Sequence, residues 1–256
     1  MPDHLQSARD SIIVAVDTDD PGKALDIVQP LVDHVGAFKL GLEFWTSMCA
    51  NFVLGSAIDV AAFHPAYQML FTILNGKTMQ DWKLNDIPNT MGKATKQVTR
   101  LKPRFLTVHA GSGMAGMQAA VKQAAGSHVL AVTVLTSFAE DEAFLTFGAP
   151  SKAKVIQFAR NALLAGCDGI VCSPQELQIL AKFPELSKLM KVTPGVRPAG
   201  TDKGDQGRVM TPYDAIKSHA DFLVIGRPIT DAPDPVATAK AIAEEMAVAF
   251  EESEKR

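Results

Sequence analysis

The stretch TMQDWKLNDIPNT, residues 78 to 90, decides the fold because it carries a strand, a loop and a helix start in one run. Alternate side chains of a strand share one face, so the TMQDWKL run predicts that Asp81 and Lys83 point the same way. Asp86 lies an odd number of positions from both and stands close to Pro88, a residue that favours the first turn of a helix. We therefore predict a strand that ends in a charged pair, a loop that contains an acid, and then a helix.

Other short apolar runs recur along the chain, and segments with helical spacing separate them. The eight runs are SIIVAVD (11–17), GAFKLG (36–41), TMQDWKL (78–84), RFLTVHA (104–110), HVLAVTVLTS (128–137), DGIVCS (168–173), KVTPGV (191–196) and DFLVIGR (221–227). Strands that are apolar on both faces and alternate with helices indicate a parallel sheet. Eight such units in 256 residues predict an α/β fold, a single-domain (β/α)8 TIM barrel over residues 1–256. A doubly wound open sheet is the alternative.

One of these units is longer than a regular barrel requires. From Lys39 to Asp81 the chain runs 42 positions, against roughly 30 for an average unit of such a barrel. The surplus lies at about 45–76, which is rich in apolar and aromatic residues. It predicts an extended second helix packed on the barrel, or alternatively an oligomer interface. The polar tail, 251–256, is expected to fray.

Composition excludes several classes of partner. The formal net charge is −3 and the pI about 6.1, so no basic surplus indicates nucleic acid or an anionic membrane as a partner. The opening MPDHLQSARD lacks the apolar core of a signal peptide, and no uninterrupted apolar run reaches the ~18 residues of a membrane span. The three cysteines form no CxxC pair, and the histidines are too scattered to predict a metal site. We predict a cytoplasmic protein without a metal.

Polar residues follow or end most of the predicted strands. In a barrel of this type, chemistry takes place at the carboxyl ends of the strands. The residues at those ends are Asp17, Lys39, Asp81, Lys83, Thr136, Ser137, Arg197 and Arg227. They could form a structural ion-pair network, but charges clustered at one end of an apolar barrel are costly to desolvate and more often mark an active site.

Glycine and arginine recur after the last two strands. The segments are TPGVRP (193–198), GDQGR (204–208) and GRPIT (226–230). Loops after strands seven and eight commonly bind phosphate in these barrels; glycine lets backbone N–H groups approach phosphate, and arginine adds a charge-assisted contact. We predict a phosphate site formed by Arg197 and Arg227, with Gly195, Gly226 and Gln206 nearby. The polar loop AGTDKGDQGR (199–208) fits a mobile lid.

The segment GSGMAG (111–116) matches the GxGxxG pattern of dinucleotide sites, but it lacks a partner residue. An acid should follow about 20 residues later, at the end of the next strand. Ala131 and Val132 stand there instead. We interpret these glycines as a barrel loop and His109, just before them, as a hydrogen-bonded structural histidine.

Taken together, these motifs resemble the orotidine 5′-phosphate decarboxylase family. The matching pieces are VAVD (14–17), FKLG (38–41), DWKLNDIPNT (81–90), VTVLTS (132–137), DGIVCS (168–173), VTPGVRP (192–198), GDQGR (204–208) and VIGRPIT (224–230). The resemblance implies an enzyme of pyrimidine biosynthesis that converts orotidine 5′-monophosphate (OMP) to UMP and CO2. It also implies no cofactor or metal, a homodimer with shared active sites, and a stand-alone enzyme like its bacterial relatives.

The resemblance further implies roles for individual residues. Lys83 would give a proton to C6 of the pyrimidine, and Asp81 would lie beside the departing carboxylate. Lys39 would join this array and touch the ribose, whereas Asp86 would reach the neighbouring subunit's site. For substrate binding, the implied contacts are Asp17 with the ribose, Ile87 and Thr90 with the nucleotide across the interface, Thr136 with the base, and Arg197, Gln206, Gly226 and Arg227 with the phosphate.

Two departures and two rival functions accompany the resemblance. The segment GKTMQD replaces the usual apolar run before the first aspartate, and the long second unit is unusual. One rival is a Mg²⁺-dependent decarboxylase or aldolase of sugar phosphates in the same suprafamily; its members place a glutamate on strand two, where this chain has Lys39. The other is a non-catalytic barrel that binds nucleotide as a regulator. The presence of four charged residues argues against it: Lys39, Asp81, Lys83 and Asp86.

Overall fold

Eight parallel strands close into a barrel in chain order. The structure is a computed structural model that describes residues 3–54, 57–198 and 210–254, without the side chains of 57–63. The strands are β1 Ile12–Val16, β2 Ala37–Leu40, β3 Thr78–Leu84, β4 Phe105–His109, β5 His128–Val132, β6 Gly169–Val171, β7 Met190–Pro194 and β8 Phe222–Ile225. Since β8 pairs with β1, the sheet is closed, which confirms the (β/α)8 TIM barrel and excludes the open sheet.

Helices connect the strands and surround the barrel. They are α1 His4–Asp10, α2 Pro21–Leu31, α3 Leu42–Leu54, α4 Ala57–Leu74, α5 Pro88–Val98, α6 Gly113–Val121, α7 Glu140–Phe147, α8 Ser151–Ala165, α9 Leu177–Leu180, α10 Pro212–Lys217, α11 Arg227–Thr230 and α12 Pro235–Glu254. Local sequence sets where they begin. In α2, the Asp20 carboxylate accepts hydrogen bonds from two backbone N–H groups and Pro21 is the first residue, so cap and proline together start the helix.

The core has two layers, which follow from the alternation of side chains along each strand. One layer fills the barrel: Ile13, Ala15, Ala37, Met79, Phe105, Leu130, Val192 and Val224. The other lies between the strands and the helices and includes Val14, Phe38 and Leu223. Burial on both faces explains why these strands are nearly continuous apolar runs.

Several predicted strands end earlier than the sequence indicated; β1 stops at Val16, so Asp17 lies one residue beyond it. β5 stops at Val132, and Thr136 and Ser137 follow in a turn. Between them, Thr133 donates both its backbone N–H and its hydroxyl to the Val171 carbonyl. β8 stops at Ile225, and Arg227 is the first residue of α11. Thr136 and Ser137 therefore lie in the loop after β5, and Arg227 begins α11, a correction to their predicted places at strand ends.

The long second unit contains two helices, α3 and α4, in place of the single extended helix that was predicted. Aromatic rings join them: Phe44 in α3 makes an edge contact with Tyr67 in α4, and Trp45 stacks on Phe71 at 5.7 Å between ring centroids. The prediction of an oligomer interface here stays a prediction.

The carboxyl-terminal helix differs from the predicted fraying of 251–256. Residues 251 to 254 form the last turn of α12, while 255 and 256 lie outside the described residues. The Tyr213 hydroxyl donates to Glu252 at 2.6 Å, and the Lys217 ammonium lies 3.4 Å from the same carboxylate. These contacts with α10 hold the final turn of the helix.

The amino-terminal end of the barrel is closed by one arginine. The Arg104 guanidinium lies over the rings of Phe105 and Phe222, at 4.9 and 5.1 Å from their centroids. It also donates hydrogen bonds to the backbone carbonyls of Asp10 and Gly36. Each of these contacts stabilises a cation without a carboxylate, and burial lowers the pKa of this guanidinium.

Candidate active site

Strand β3 is irregular at the point where its charged residues stand. Its register against β4 shifts between Gln80 and Leu84, and Lys83 adopts a positive φ of 48°. A left-handed residue other than glycine costs roughly 1–2 kcal/mol. The Lys83 N–H donates to the Thr107 hydroxyl at 2.8 Å, a contact that stabilises the bend. The alternation of side chains in a regular strand correctly predicted that Asp81 and Lys83 share a face, although the strand that carries them is bulged.

Four charged side chains meet at the carboxyl end of the barrel. The Lys83 ammonium lies 2.7 Å from the Asp81 carboxylate, and the Lys39 ammonium lies 2.7 Å from Asp17. The Lys39 ammonium also lies 3.9 Å from the Asp81 carboxylate, and this contact connects the two ion pairs. The structure thus brings together Asp17, Lys39, Asp81 and Lys83, which we call the charged array.

Asp81 is the most buried member of the charged array. Its side chain keeps 8% of its area exposed, against 59% for Asp17. One carboxylate oxygen faces both ammonium groups, and the other accepts a hydrogen bond from the Thr107 hydroxyl at 2.9 Å. A buried carboxylate needs such partners because its desolvation is costly. The array is therefore fixed before any ligand arrives.

Thr107 is a site residue that the sequence interpretation missed. It is fully buried on the inward face of β4, and it contacts both the Asp81 carboxylate and the Lys83 N–H. The only indication in the sequence is a polar residue in the middle of RFLTVHA, on the face that also carries the inward Phe105. That indication could not name its partners, which lie on the neighbouring strand.

Asp86, Ile87 and Thr90 are exposed and follow β3. Asp86 lies in the loop after β3, exposed, and its carboxylate accepts a hydrogen bond from the Ile87 N–H. Ile87 keeps 65% of its surface exposed, and Thr90 lies exposed in the first turn of α5. In the part of the chain that the structure describes, no ion pair joins Asp86 to the array. The predicted loop acid and helix start are confirmed.

The loops after β7 and β8 hold the predicted phosphate residues at neighbouring strand ends. Gly195 has φ +83°, a conformation that favours glycine, and the next residues lead to Arg197, whose N–H donates to the Met210 carbonyl. Gly226 comes close to β1, since a Cβ there would lie 3.4 Å from the Cβ of Ala15. Gln206 and the predicted lid, 199–208, fall within 199–209, outside the described residues.

A cavity of about 590 Å³ opens on the opposite side of the mouth from β2 and β3. The loops after β5, β6 and β7 line it, with Thr136 and Ser137 on one wall and Pro194 and Gly195 on another. Glu176 also lines the cavity, and burial raises its pKa to about 7, although a hydrogen bond from the Ser173 N–H acts in the opposite direction. The predicted base contact, Thr136, and the start of the phosphate loop thus border one space.

Searches for a metal site and a membrane span gave no candidate within the described ranges. None of the described helices combines the length and apolar character needed to cross a bilayer. No described group of three or more histidine, cysteine or acidic side chains is placed to hold a metal ion. A reaction without a metal or cofactor stays a prediction.

A closed parallel barrel with a charged array at its carboxyl end defines a (β/α)8-barrel enzyme. Residues 10–242 match the model of the orotidine 5′-phosphate decarboxylase / HUMPS family, and the chain belongs to that family. The resemblance inferred from the motifs is confirmed.

Individual relatives agree with this assignment. The chain is 42% identical over 253 residues to an orotidine 5′-phosphate decarboxylase from Moorella thermoacetica, covering 93% of both chains. It is 41% identical over 254 residues to one from Heliobacterium modesticaldum, covering 94% of this chain and 97% of the relative. The crystal structure of the Lactobacillus acidophilus orotidine 5′-phosphate decarboxylase is similar, with a TM-score of 0.70 and 31% identity, over 92% of this chain and 98% of that one.

Proposed function

We propose that the protein converts orotidine 5′-monophosphate to UMP and CO2, with Lys83 as the proton donor. The observation that carries this proposal is the Lys83 ammonium held 2.7 Å from the buried Asp81 carboxylate, in a chain of this family. Lys83 lies on the same strand as Asp81, and among the four members of the array its side chain is the most exposed after that of Asp17.

Electrostatics supply most of the proposed catalysis. When the bond from C6 to the carboxylate breaks, CO2 leaves and the electron pair stays on C6, where resonance stabilises it little. The Lys83 ammonium stabilises that charge and then transfers a proton to C6, forming the C–H bond of UMP. Solvent returns a proton to the amine. Asp81, beside the departing carboxylate, orients the Lys83 ammonium through their hydrogen bond.

The remaining contacts orient the nucleotide. Asp17 and Lys39, which form one ion pair, would bind the ribose hydroxyls. Thr136, on the wall of the cavity, would contact the base. The phosphate would be held by Arg197, Gln206, Gly226 and Arg227. Binding energy from a phosphate remote from C6 can serve to orient the reacting ring.

Each active site is proposed to use two subunits of a homodimer. The support is the exposure of Asp86, Ile87 and Thr90, together with the finding that none of the described ion pairs of the array includes them. An exposed isoleucine next to an exposed acid fits a protein contact better than solvent. In the dimer, Asp86 would approach Lys83 of the other copy, and Ile87 and Thr90 would complete the nucleotide site.

The reaction is proposed to need neither a metal nor a cofactor. Lys39 occupies strand β2, where the Mg²⁺-dependent relatives need an acid, and its ammonium lies between two carboxylates. A cation in that place would repel Mg²⁺. We also place the enzyme in the cytoplasm and in de novo pyrimidine biosynthesis, without nucleic acid or membrane partners.

One assay tests this function against both rivals. Loss of the orotate absorbance of orotidine 5′-monophosphate is followed with and without EDTA, and equal rates are expected. Activity that EDTA abolishes and Mg²⁺ restores would favour the sugar-phosphate enzymes. Binding of UMP without any turnover would favour the non-catalytic barrel.

A further inference from the structure

His109 stands on the inward face of β4, one step nearer the mouth than Thr107. Phe105 and Thr107 precede it on the same face, the first inside the barrel core and the second bonded to Asp81. Two residues of a strand advance about 6.6 Å, so the imidazole lies level with the upper part of the charged array. It is half-buried, and Lys83 is the charged group that acts on it.

The following loop fixes the ring of His109. Its Nδ1 accepts a hydrogen bond from the Gly111 N–H at 3.0 Å, and its backbone carbonyl accepts one from the Ser112 hydroxyl at 2.8 Å. A Cβ on residue 111 would lie only 3.0 Å from Nδ1 and 3.5 Å from Cε1. The first glycine of GSGMAG therefore makes room for this imidazole, which explains a motif that the nucleotide interpretation could not.

These contacts determine where the imidazole carries its proton. Because Nδ1 accepts a hydrogen bond, the neutral ring must carry its proton on Nε2. Burial first, and the Lys83 charge second, lower the pKa of His109 and favour this neutral form. Nε2 has no hydrogen-bond acceptor among residues 3–54, 57–198 and 210–254. A fixed N–H donor thus stands beside Lys83 without a partner in the described chain.

We infer that the Nε2–H of His109 donates a hydrogen bond to an oxygen at the pyrimidine end of the bound nucleotide and so orients it toward Lys83. The inference rests on the proposed function. In the closed barrel β4 lies opposite β8, so His109 is far from the predicted phosphate site and close to the reacting end. This gives the structural histidine of the sequence interpretation a second, substrate-binding role.

Two substitutions distinguish the role of the Nε2–H donor from that of the Nδ1 contact with Gly111. His109→Asn keeps an acceptor at the position of Nδ1 and removes the distal donor, whereas His109→Gln keeps a distal N–H and loses the contact with Gly111. We expect kcat/KM to fall about 10- to 100-fold in His109→Asn, and less than about 5-fold in His109→Gln. A larger fall of kcat/KM in His109→Gln than in His109→Asn would mean that His109 only holds the loop. The same conclusion would follow if kcat/KM fell in both variants in proportion to their loss of Tm.

A second measurement does not depend on turnover or on the variants. In ¹⁵N-histidine NMR of the wild-type protein, His109 should show the Nε2–H tautomer, and its Nε2 resonance should shift when UMP saturates the site. An Nδ1–H tautomer, or an Nε2 resonance unchanged by saturating UMP, would overturn the inference. A folded wild-type protein that binds UMP but does not decarboxylate orotidine 5′-monophosphate would refute the proposed function alone.

Discussion

Charged side chains at the two ends of the barrel have different kinds of partner. At the amino-terminal end, aromatic faces and backbone carbonyls contact Arg104, and none of the ion pairs among the described residues includes it. At the carboxyl-terminal end, two lysines and two aspartates are connected by three consecutive contacts, each of 3.9 Å or less.

From this difference we infer that the charge at the amino-terminal end contributes to stability and that the charges at the carboxyl-terminal end serve the reaction. A cation that donates hydrogen bonds to two backbone carbonyls and lies over two aromatic rings contacts the ends of several strands. Two ammonium groups near one buried carboxylate, with Lys83 in a strained backbone conformation, serve no evident packing purpose. Strain and clustered charge commonly mark functional sites. Substitutions at the mouth should therefore change activity, whereas substitutions at the base should change stability.

The largest effect is expected from Lys83→Ala. Turnover of orotidine 5′-monophosphate should fall below about one part in a thousand, since positioned proton transfer contributes 10²- to 10⁴-fold and the charge adds more. Single-turnover kinetics would measure this. The matched control is Lys93→Ala, which removes an exposed lysine of α5. A Lys83→Ala enzyme with a kcat above that limit would show that Lys83 is not the proton donor.

Mixing two inactive variants tests whether the mouth is shared between subunits. If Lys83 and Asp86 serve one site from different chains, half of a randomly paired mixture of Lys83→Ala and Asp86→Ala consists of hybrids with one intact site. About a quarter of wild-type activity should then return. The measurement is specific activity after subunit exchange, which labelled chains confirm.

A matched control accompanies this mixture. Lys83→Ala mixed with Lys39→Ala should recover nothing, because both lysines belong to the array of the same chain and every hybrid site carries a lesion. No recovery in the first mixture despite complete exchange would assign Asp86 to its own subunit.

A smaller effect is expected at the phosphate side of the mouth. Arg227→Ala should weaken UMP binding about 10- to 100-fold and uridine binding much less, because the lost contact is charge-assisted and uridine lacks the phosphate. Isothermal titration calorimetry of both ligands measures the difference. Lys240→Ala, an exposed lysine of α12, is the control. Equal losses for the two ligands would place Arg227 outside the phosphate site.

The smallest effect on catalysis is expected at the base of the barrel. Arg104→Met removes two hydrogen bonds to carbonyls and two contacts with aromatic faces, so the free energy of unfolding should fall by about 1–3 kcal/mol. The kcat should stay at the wild-type value. Urea unfolding and the decarboxylase assay measure the two quantities, with the exposed Arg100→Met as control. A large loss of kcat with unchanged stability would contradict the division between the two ends.

The sequence by itself determined the features that repeat or that stand close together along the chain. Apolar runs alternating with helical segments predicted a closed barrel, because each pattern follows from burial of one local element. The Asp81 and Lys83 pair was predictable for the same reason, since the two residues lie on one strand. Caps and prolines such as Asp20, Pro21 and Pro88 mark helix starts through contacts within a few residues.

Only the tertiary structure decided what depends on neighbouring strands. The 3.9 Å approach of Lys39 to Asp81 depends on the pairing of β2 with β3, and the role of Thr107 depends on β4. Thr133, just after β5, donates two hydrogen bonds to the Val171 carbonyl of β6, a partner that the pattern of one strand does not encode. The bulge at Lys83 and the packing of α3 against α4 have the same cause: the partners of these residues are distant in sequence, and no local period encodes them.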